Sequence, residues 1–160
     1  MRRRSSTSSH PIWRGWHPDA SVVASPLGRS RPELPIQGTL QDGVLHTVAT
    51  GVVTDEDLIQ YYAWDRILKP TPPWRELVDG SGIEAMQVTF PGQRRLQDAV
   101  SAYDRFLKGG RVAMLAASDA VYGMFRMWEL QRENLSYTVR VFRSRDEALA
   151  WLAAPPPPSE

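Results

Sequence analysis

Between residues 37 and about 153, apolar positions switch between a period of two, which suits strands, and a period of three to four, which suits helices. Leu40-Gln41-Asp42-Gly43-Val44 places Asp-Gly between two extended segments. That dipeptide accepts the left-handed backbone of a two-residue turn, so strands near 37–41 and 44–53 are expected to pair antiparallel. In the second strand Val44, His46, Val48 and Val52 fall on one face. Thr54 with Asp57 three residues on forms a capping box, and Asp55 and Glu56 suit the first turn of a helix over about 55–68. Its apolar stripe is Leu58, Tyr61, Tyr62 and Leu68, interrupted by Asp65, and Pro70, Pro72 and Pro73 stop it. Residues 74–79 then read as a short strand ending at Gly80-Ser81-Gly82.

From Pro91 onward Leu96, Val100, Tyr103 and Leu107 recur at helical spacing, and Gly109-Gly110 supplies a left-handed stop. The run RVAMLA, 111–116, fits a buried parallel strand, and Ser118 is placed to cap the helix that follows. That helix carries Val121, Met124, Phe125 and Trp128 on one side. A strand over 137–142 and a final helix opened by Ser144 and Glu147, with Ala148, Leu149 and Leu152 inward, complete the pattern. The order ββαβαβαβα predicts a single α/β domain over 37–153: a mostly parallel, mixed sheet with an N-terminal β-hairpin and helical cover.

Charge divides the chain. All 160 residues carry 19 Lys and Arg against 18 Asp and Glu, a net +1. Residues 1–36 hold six arginines, two acids, five prolines and a run of serines, without an apolar stretch, and are expected to form a disordered basic extension. The remainder holds 13 basic and 16 acidic residues. Residues 154–160 read as a proline-rich stub. The basic start leads into serines rather than an apolar core, which argues against a secretory signal, and nowhere do about 18 apolar residues follow one another, so no integral membrane segment is expected. A cytoplasmic location follows as the expectation.

The sequence lacks the marks of most catalytic templates. Without cysteine there is no thiol nucleophile and no thiolate metal site. Lys69 and Lys108, the two lysines, lie outside any phosphate-loop context, and Gly80-Ser81-Gly82 has Ala85 where a dinucleotide fingerprint needs its third glycine. Of three histidines only His46 belongs to the folded body, so neither metal nor cofactor is expected. Ser81, His46 and Asp79 contain the residue types of a hydrolytic triad but not the nucleophile elbow that would present the serine. Arginines in the body form no stripe interleaved with aromatics, which argues against nucleic acid as a partner. Tyr62, Trp64, Tyr122 and Trp128 either fill the core or line a cavity for an apolar small molecule.

Three strings give the body a likeness: ELVDGSGIEAM (76–86), GGRVAMLAASDAVYGMFRMWEL (109–130) and VRVFRSRDEALAWL (139–152). Together with the order of elements they resemble the STAS and SpoIIAA-like family, small domains related to anti-anti-sigma factors with a loose likeness to the lipid-binding SEC14 fold. On this resemblance the strings occupy a strand-to-loop, a strand-to-helix and a strand-to-final-helix junction. The family's anti-anti-sigma branch presents a phosphorylatable serine in a D-S-S-G turn before its second helix. Met86-Gln87-Val88-Thr89-Phe90-Pro91 stands there in this chain, so Thr89 takes the serine position while the Asp and Gly of the turn are missing. The resemblance implies a noncatalytic regulatory domain that binds a protein partner, with Thr89, Ser81, Asp79, Ser118 and Arg126 as contact or phospho-acceptor candidates. In the alternative reading Thr89 is only a helix cap and the phospho-switch is lost. A carrier or sensor of a lipid or other apolar ligand is the second functional reading, and a hydrolase the third.

Overall fold

Asp42 and Gly43 take φ values of 51° and 77°, the left-handed pair that a two-residue turn between antiparallel strands requires. The computed structural model describes residues 35–64, 73–101, 104–131 and 135–155, except the side chains of 63, 64 and 105. The turn joins β1 (Ile36–Gln41) to β2 (Val44–Thr54), with Gln41 opposite Val44 and Ile36 opposite Ala49. The remaining elements follow as α1 (Asp55–Trp64), β3 (Arg75–Gln87), α2 (Phe90–Ser101), α3 (Asp104–Leu107), β4 (Arg111–Leu115), α4 (Asp119–Leu130), β5 (Thr138–Phe142) and α5 (Arg145–Ala153). Strands β2 to β5 run parallel, so the sheet is mixed and its order is β1-β2-β3-β4-β5. This is the expected hairpin-plus-parallel-sheet plan, and the helix expected from Pro91 to Leu107 is described as α2 and the one-turn α3, with 102 and 103 outside the described residues.

Strand alternation splits the core in two. One face of the sheet buries Ala49, Val53, Val78, Val112 and Met114 against Leu58 and Tyr61 of α1, Leu96 and Val100 of α2, and Val121, Phe125 and Trp128 of α4. The other buries Leu77, Ala113 and Leu115 against Ala148 and Leu152 of α5. Because α5 is the one helix on that side among the described residues and packs on β3, β4 and β5, the outer half of β2 stays uncovered there. Val48 and Val52, on the face that periodicity grouped with Val44 and His46, are each 44% exposed. The core positions of β2 are the odd ones, Leu45, Thr47, Ala49 and Val53.

Two expectations need correction. β3 does not end at Asp79 but runs through Gly80-Ser81-Gly82 to Gln87. These glycines mark close approach rather than a loop: a β-carbon on Gly80 would lie 2.8 Å from the Phe125 ring, and one on Gly82 2.8 Å from the Thr50 methyl. Beyond Asp79, β3 pairs with β2 alone, so the two strands project past the end of β4. Of the extension expected over 1–36, residues 1–34 lie outside the described residues, whereas Ile36, assigned to it, opens β1. The end of the expected first long helix, with Asp65 and Leu68, likewise lies outside the described residues.

At the other end of the chain Arg111 closes α5 onto the sheet. Its guanidinium donates to the carbonyls of Trp151 (2.9 Å), Ala154 (2.6 Å) and Pro155 (2.9 Å) and lies 5.5 Å from the Trp151 ring centre. These carbonyls are the ones a helix end leaves without partners, and a cation there also meets the negative end of the helix dipole.

Candidate functional site

Each parallel strand delivers the chain to a helix at its carboxyl end, and a hydroxyl stands at each of those junctions. Thr54 and Asp57 exchange bonds as a capping box: the Thr54 N–H and Oγ1 donate to Asp57 Oδ2 at 2.9 and 2.6 Å, and the Asp57 N–H donates to Thr54 Oγ1 at 3.3 Å. Thr89 accepts from the Gly92 N–H at 3.1 Å, which makes it the cap of α2. Ser118 accepts from the Val121 N–H and Ser144 from the Glu147 N–H, capping α4 and α5. Thr89 does more than cap. Its N–H donates to Asp55 Oδ1 at 2.8 Å and its hydroxyl to Asp55 Oδ2 at 2.5 Å, so the first residue of α1 and the cap of α2 are joined. A β-carbon on Gly92 would fall inside the Asp55 carboxylate, so a carboxylate already occupies the positive end of α2.

The remaining sequence candidates do not gather at one site: Asp79 and Ser81 are neighbours on β3, and Tyr122, Arg126 and Trp128 lie along α4. Asp79 accepts from the Ser81 N–H at 3.0 Å and from Arg145 Nη1 at 2.6 Å, tying β3 to the start of α5. Arg126 pairs with Glu129 one turn along α4. Tyr122 lies under the Arg143 guanidinium, 4.2 Å from ring centre to Cζ, and Arg143 also donates to Asp119. Tyr62 packs edge-on against buried Tyr61, with ring centres 5.4 Å apart, and Trp128 is buried against Phe125 at 5.9 Å. Trp128 thus belongs to the core, and Tyr62 is partly buried against it. The Trp64 side chain lies outside the described residues.

A depression of about 320 Å³ opens elsewhere, on the outer side of α2 beside the end of α4. Phe90, Gln93, Arg94, Gln97 and Gln131 line it. The first four share one face of α2 by their spacing of three and four residues. On α4, Met127 and Leu130 stand beside Gln131. Phe90, which lines the hollow, is 69% exposed, and on α4 Leu130 is 60% and Met127 46% exposed.

No family model matches this sequence, and comparison with curated proteins finds no match. Solved structures do match. An uncharacterized protein of the DUF3478 family from Shewanella loihica PV-4, described as having a SpoIIAA-like fold, superposes with a TM-score of 0.51 at 19% identity, over 73% of this chain and 91% of that one. The fold is SpoIIAA-like. In this SpoIIAA-like sheet the strings 109–130 and 139–152 run from strand into helix, through β4 to α4 and through β5 to α5, as the resemblance implied. The string 76–86 lies wholly within β3 and marks no loop. Among the described residues no helix is long and apolar enough to cross a membrane.

One feature of the SpoIIAA-like core went unforeseen. Glu76, 2% exposed, is buried in β3 and accepts from Thr47 Oγ1 at 2.7 Å and from Trp74 Nε1 at 3.3 Å. Thr47 Oγ1 is also 2.7 Å from the Tyr61 hydroxyl. The Tyr61 hydroxyl fills the space over Gly38, where a β-carbon would lie 2.6 Å from it. Strands β2 and β3, helix α1 and Trp74 thus share one buried polar cluster, packed against β1 at Gly38, whose groups satisfy one another as burial demands. The available signal was a carboxylate at an inward position of a strand otherwise reading Leu77-Val78.

Proposed function

We propose that this SpoIIAA-like domain is a noncatalytic cytoplasmic docking module that binds a protein partner across the outer face of α2 and the end of α4. The observation that carries the reading is exposed Phe90 at the hollow it lines with Gln93, Arg94, Gln97 and Gln131, together with exposed Met127 and Leu130 on α4, whose end reaches that hollow at Gln131. An aromatic and an arginine beside aliphatic side chains, with amides to fix orientation, is the composition of an interface centre. Burying Phe90 and Leu130 on docking is worth about 1.5–3 kcal/mol each by the transfer scale. Arg126, already paired with Glu129, is carried on the same helix as Leu130.

Thr89 in this reading organises the surface rather than switching it. Its hydroxyl both donates to Asp55 and accepts from Gly92, so α2 is held where Phe90 projects. A phosphate on Thr89 would meet the Asp55 carboxylate and break this junction.

The test uses the full chain carrying a photo-crosslinker at Gln97, with the same group at exposed Ala150 on α5 as control. The expected result is a protein captured from Gln97 and not from Ala150, whose purified form binds the Phe90→Asp, Leu130→Asp variant about tenfold or more weakly, the loss expected of truncated interface centres. Unchanged affinity in that variant, or capture from Ala150 alone, overturns the proposal.

A further inference from the structure

The hollow on α2 holds a charge that no neighbour among the described residues answers. Arg94 lines it, and Arg94 makes no ion pair or hydrogen bond among those residues. Of the acids on α2 and at the end of α4, Glu129 is taken by Arg126, and Asp98 forms no ion pair among the described residues. The carboxamides of Gln93, Gln97 and Gln131 likewise make no hydrogen bond there. In water all four groups are solvated. Once a partner fills the hollow they lose that solvent, and a guanidinium or an amide shut away without a counter-group is costly. The occupant must therefore bring an anion and several donors and acceptors, besides an apolar group for Phe90.

Resting on the docking surface argued above, we propose that the hollow holds an extended acidic segment of the protein partner, with its carboxylate on Arg94 and an apolar side chain on Phe90. The spacing and the carboxamides select this shape. A rise of about 1.5 Å per residue sets Phe90 and Arg94 about 6 Å apart along α2. Side chains two residues apart on one face of an extended chain are separated by about 6.6 Å, so an acid and an apolar residue at that spacing meet both. A helical segment matches the distance too, but its backbone groups are bonded internally and would leave the carboxamides unpaired. An extended chain offers an N–H and a C=O at each residue, which the carboxamides accept from and donate to. The anion is a carboxylate because the planar fork of one guanidinium pairs with both its oxygens and balances its single charge. A phosphate carries about two charges and is met by clusters of arginines, whereas Arg95 does not line the hollow.

The probes are the capped peptides acetyl-Ser-Glu-Ser-Leu-Ser-amide and acetyl-Ser-Leu-Ser-Glu-Ser-amide, one for each chain direction, and the same pair with Gln in place of Glu. Each is titrated to millimolar concentration into the isotope-labelled full chain and followed by nuclear magnetic resonance. The side-chain amide signals of Gln93, Gln97 and Gln131 are expected to shift with one Glu peptide, bound about tenfold or more tightly than its Gln counterpart, as a charge-assisted bond provides. That ratio should fall to about one in Arg94→Gln, persist in Arg95→Gln, and shrink with added salt. No shift at these amides with either Glu peptide overturns the proposal, as does an unchanged ratio in Arg94→Gln. Tighter binding of an acidic helical peptide, or of the peptide with phosphoserine for Glu, overturns it equally. Shifts that appear without peptide as the protein is concentrated would assign the hollow to a second copy and also overturn it. The docking surface is judged apart: a partner captured from Gln97 that binds Arg94→Gln as tightly as wild type removes the carboxylate contact and leaves that surface standing.

Discussion

The contact between Gly38 and Tyr61 allows the buried cluster to be tested without touching its carboxylate. Gly38→Ala should place a methyl 2.6 Å from the Tyr61 hydroxyl, and that hydroxyl cannot swing aside. Its ring is 1% exposed and its oxygen is bonded to Thr47 at 2.7 Å. Overpacking of this kind costs about 1–3 kcal/mol, offset in part by the about 0.5–1 kcal/mol that alanine gains over glycine within a strand. Tyr61→Phe removes the hydroxyl and its hydrogen bond for a cost of about 1 kcal/mol. In the Tyr61→Phe background the next ring atom, the former Cζ, is 3.5 Å from the new methyl, an ordinary contact. The double variant should then be no less stable than Tyr61→Phe alone, so the two substitutions couple favourably by about 1–3 kcal/mol. Urea unfolding followed by circular dichroism measures all four proteins. Additive losses would refute the reasoning, because they would mean that the hydroxyl yields to the methyl and does not pin α1 to the sheet.

Two further outcomes follow from the junctions and the charge. Asp55→Ala and Thr89→Ala should each cost about 1 kcal/mol in urea unfolding, and the pair together clearly less than the sum, since the two share the bonds that cap α2; full additivity would contradict the described junction. The full chain should bind heparin at low salt and a chain starting at residue 35 should not, because the six arginines of the first 34 residues leave behind 13 basic against 16 acidic ones; retention of binding by the shorter chain would refute that partition.

Local chemistry carried most of what could be read before the structure. Asp42-Gly43, Thr54-Asp57, Ser118 and Ser144 act through bonds to residues within three positions, so their patterns suffice to place a turn and three helix starts. That the sheet is mostly parallel followed from the alternation of strands and helices, although the order of its strands did not. The glycines at 80 and 82 misled because turn and close approach use the same residue, and only the position of Phe125, far along the chain, separates the two. Glu76 was hidden for a related reason: its partners come from β2 and from Trp74, and a carboxylate gives no local sign of which strand neighbour will satisfy it. Thr89 was singled out by resemblance as a hydroxyl before a helix, yet its bond to Asp55, thirty-four residues earlier, is tertiary and lay beyond reach. The hollow beside α2 is likewise a meeting of two helices distant in sequence, and Phe90 or Leu130 taken singly reads as any apolar residue.

The clamp that Arg111 makes on α5 determines how the protein can be held. Arg111 stands at the amino end of β4, opposite Arg75 on one side and Thr138 on the other, whereas the four capping hydroxyls lie past the carboxyl ends of the strands. The chain therefore leaves α5 at Pro155 on the far side of the sheet from those caps. A tether attached beyond that residue would hold the molecule with its capped rim turned outward. Force applied through it would load α5, and with it both the Arg111 clamp on interior β4 and the apolar seam that Ala148 and Leu152 make with the sheet.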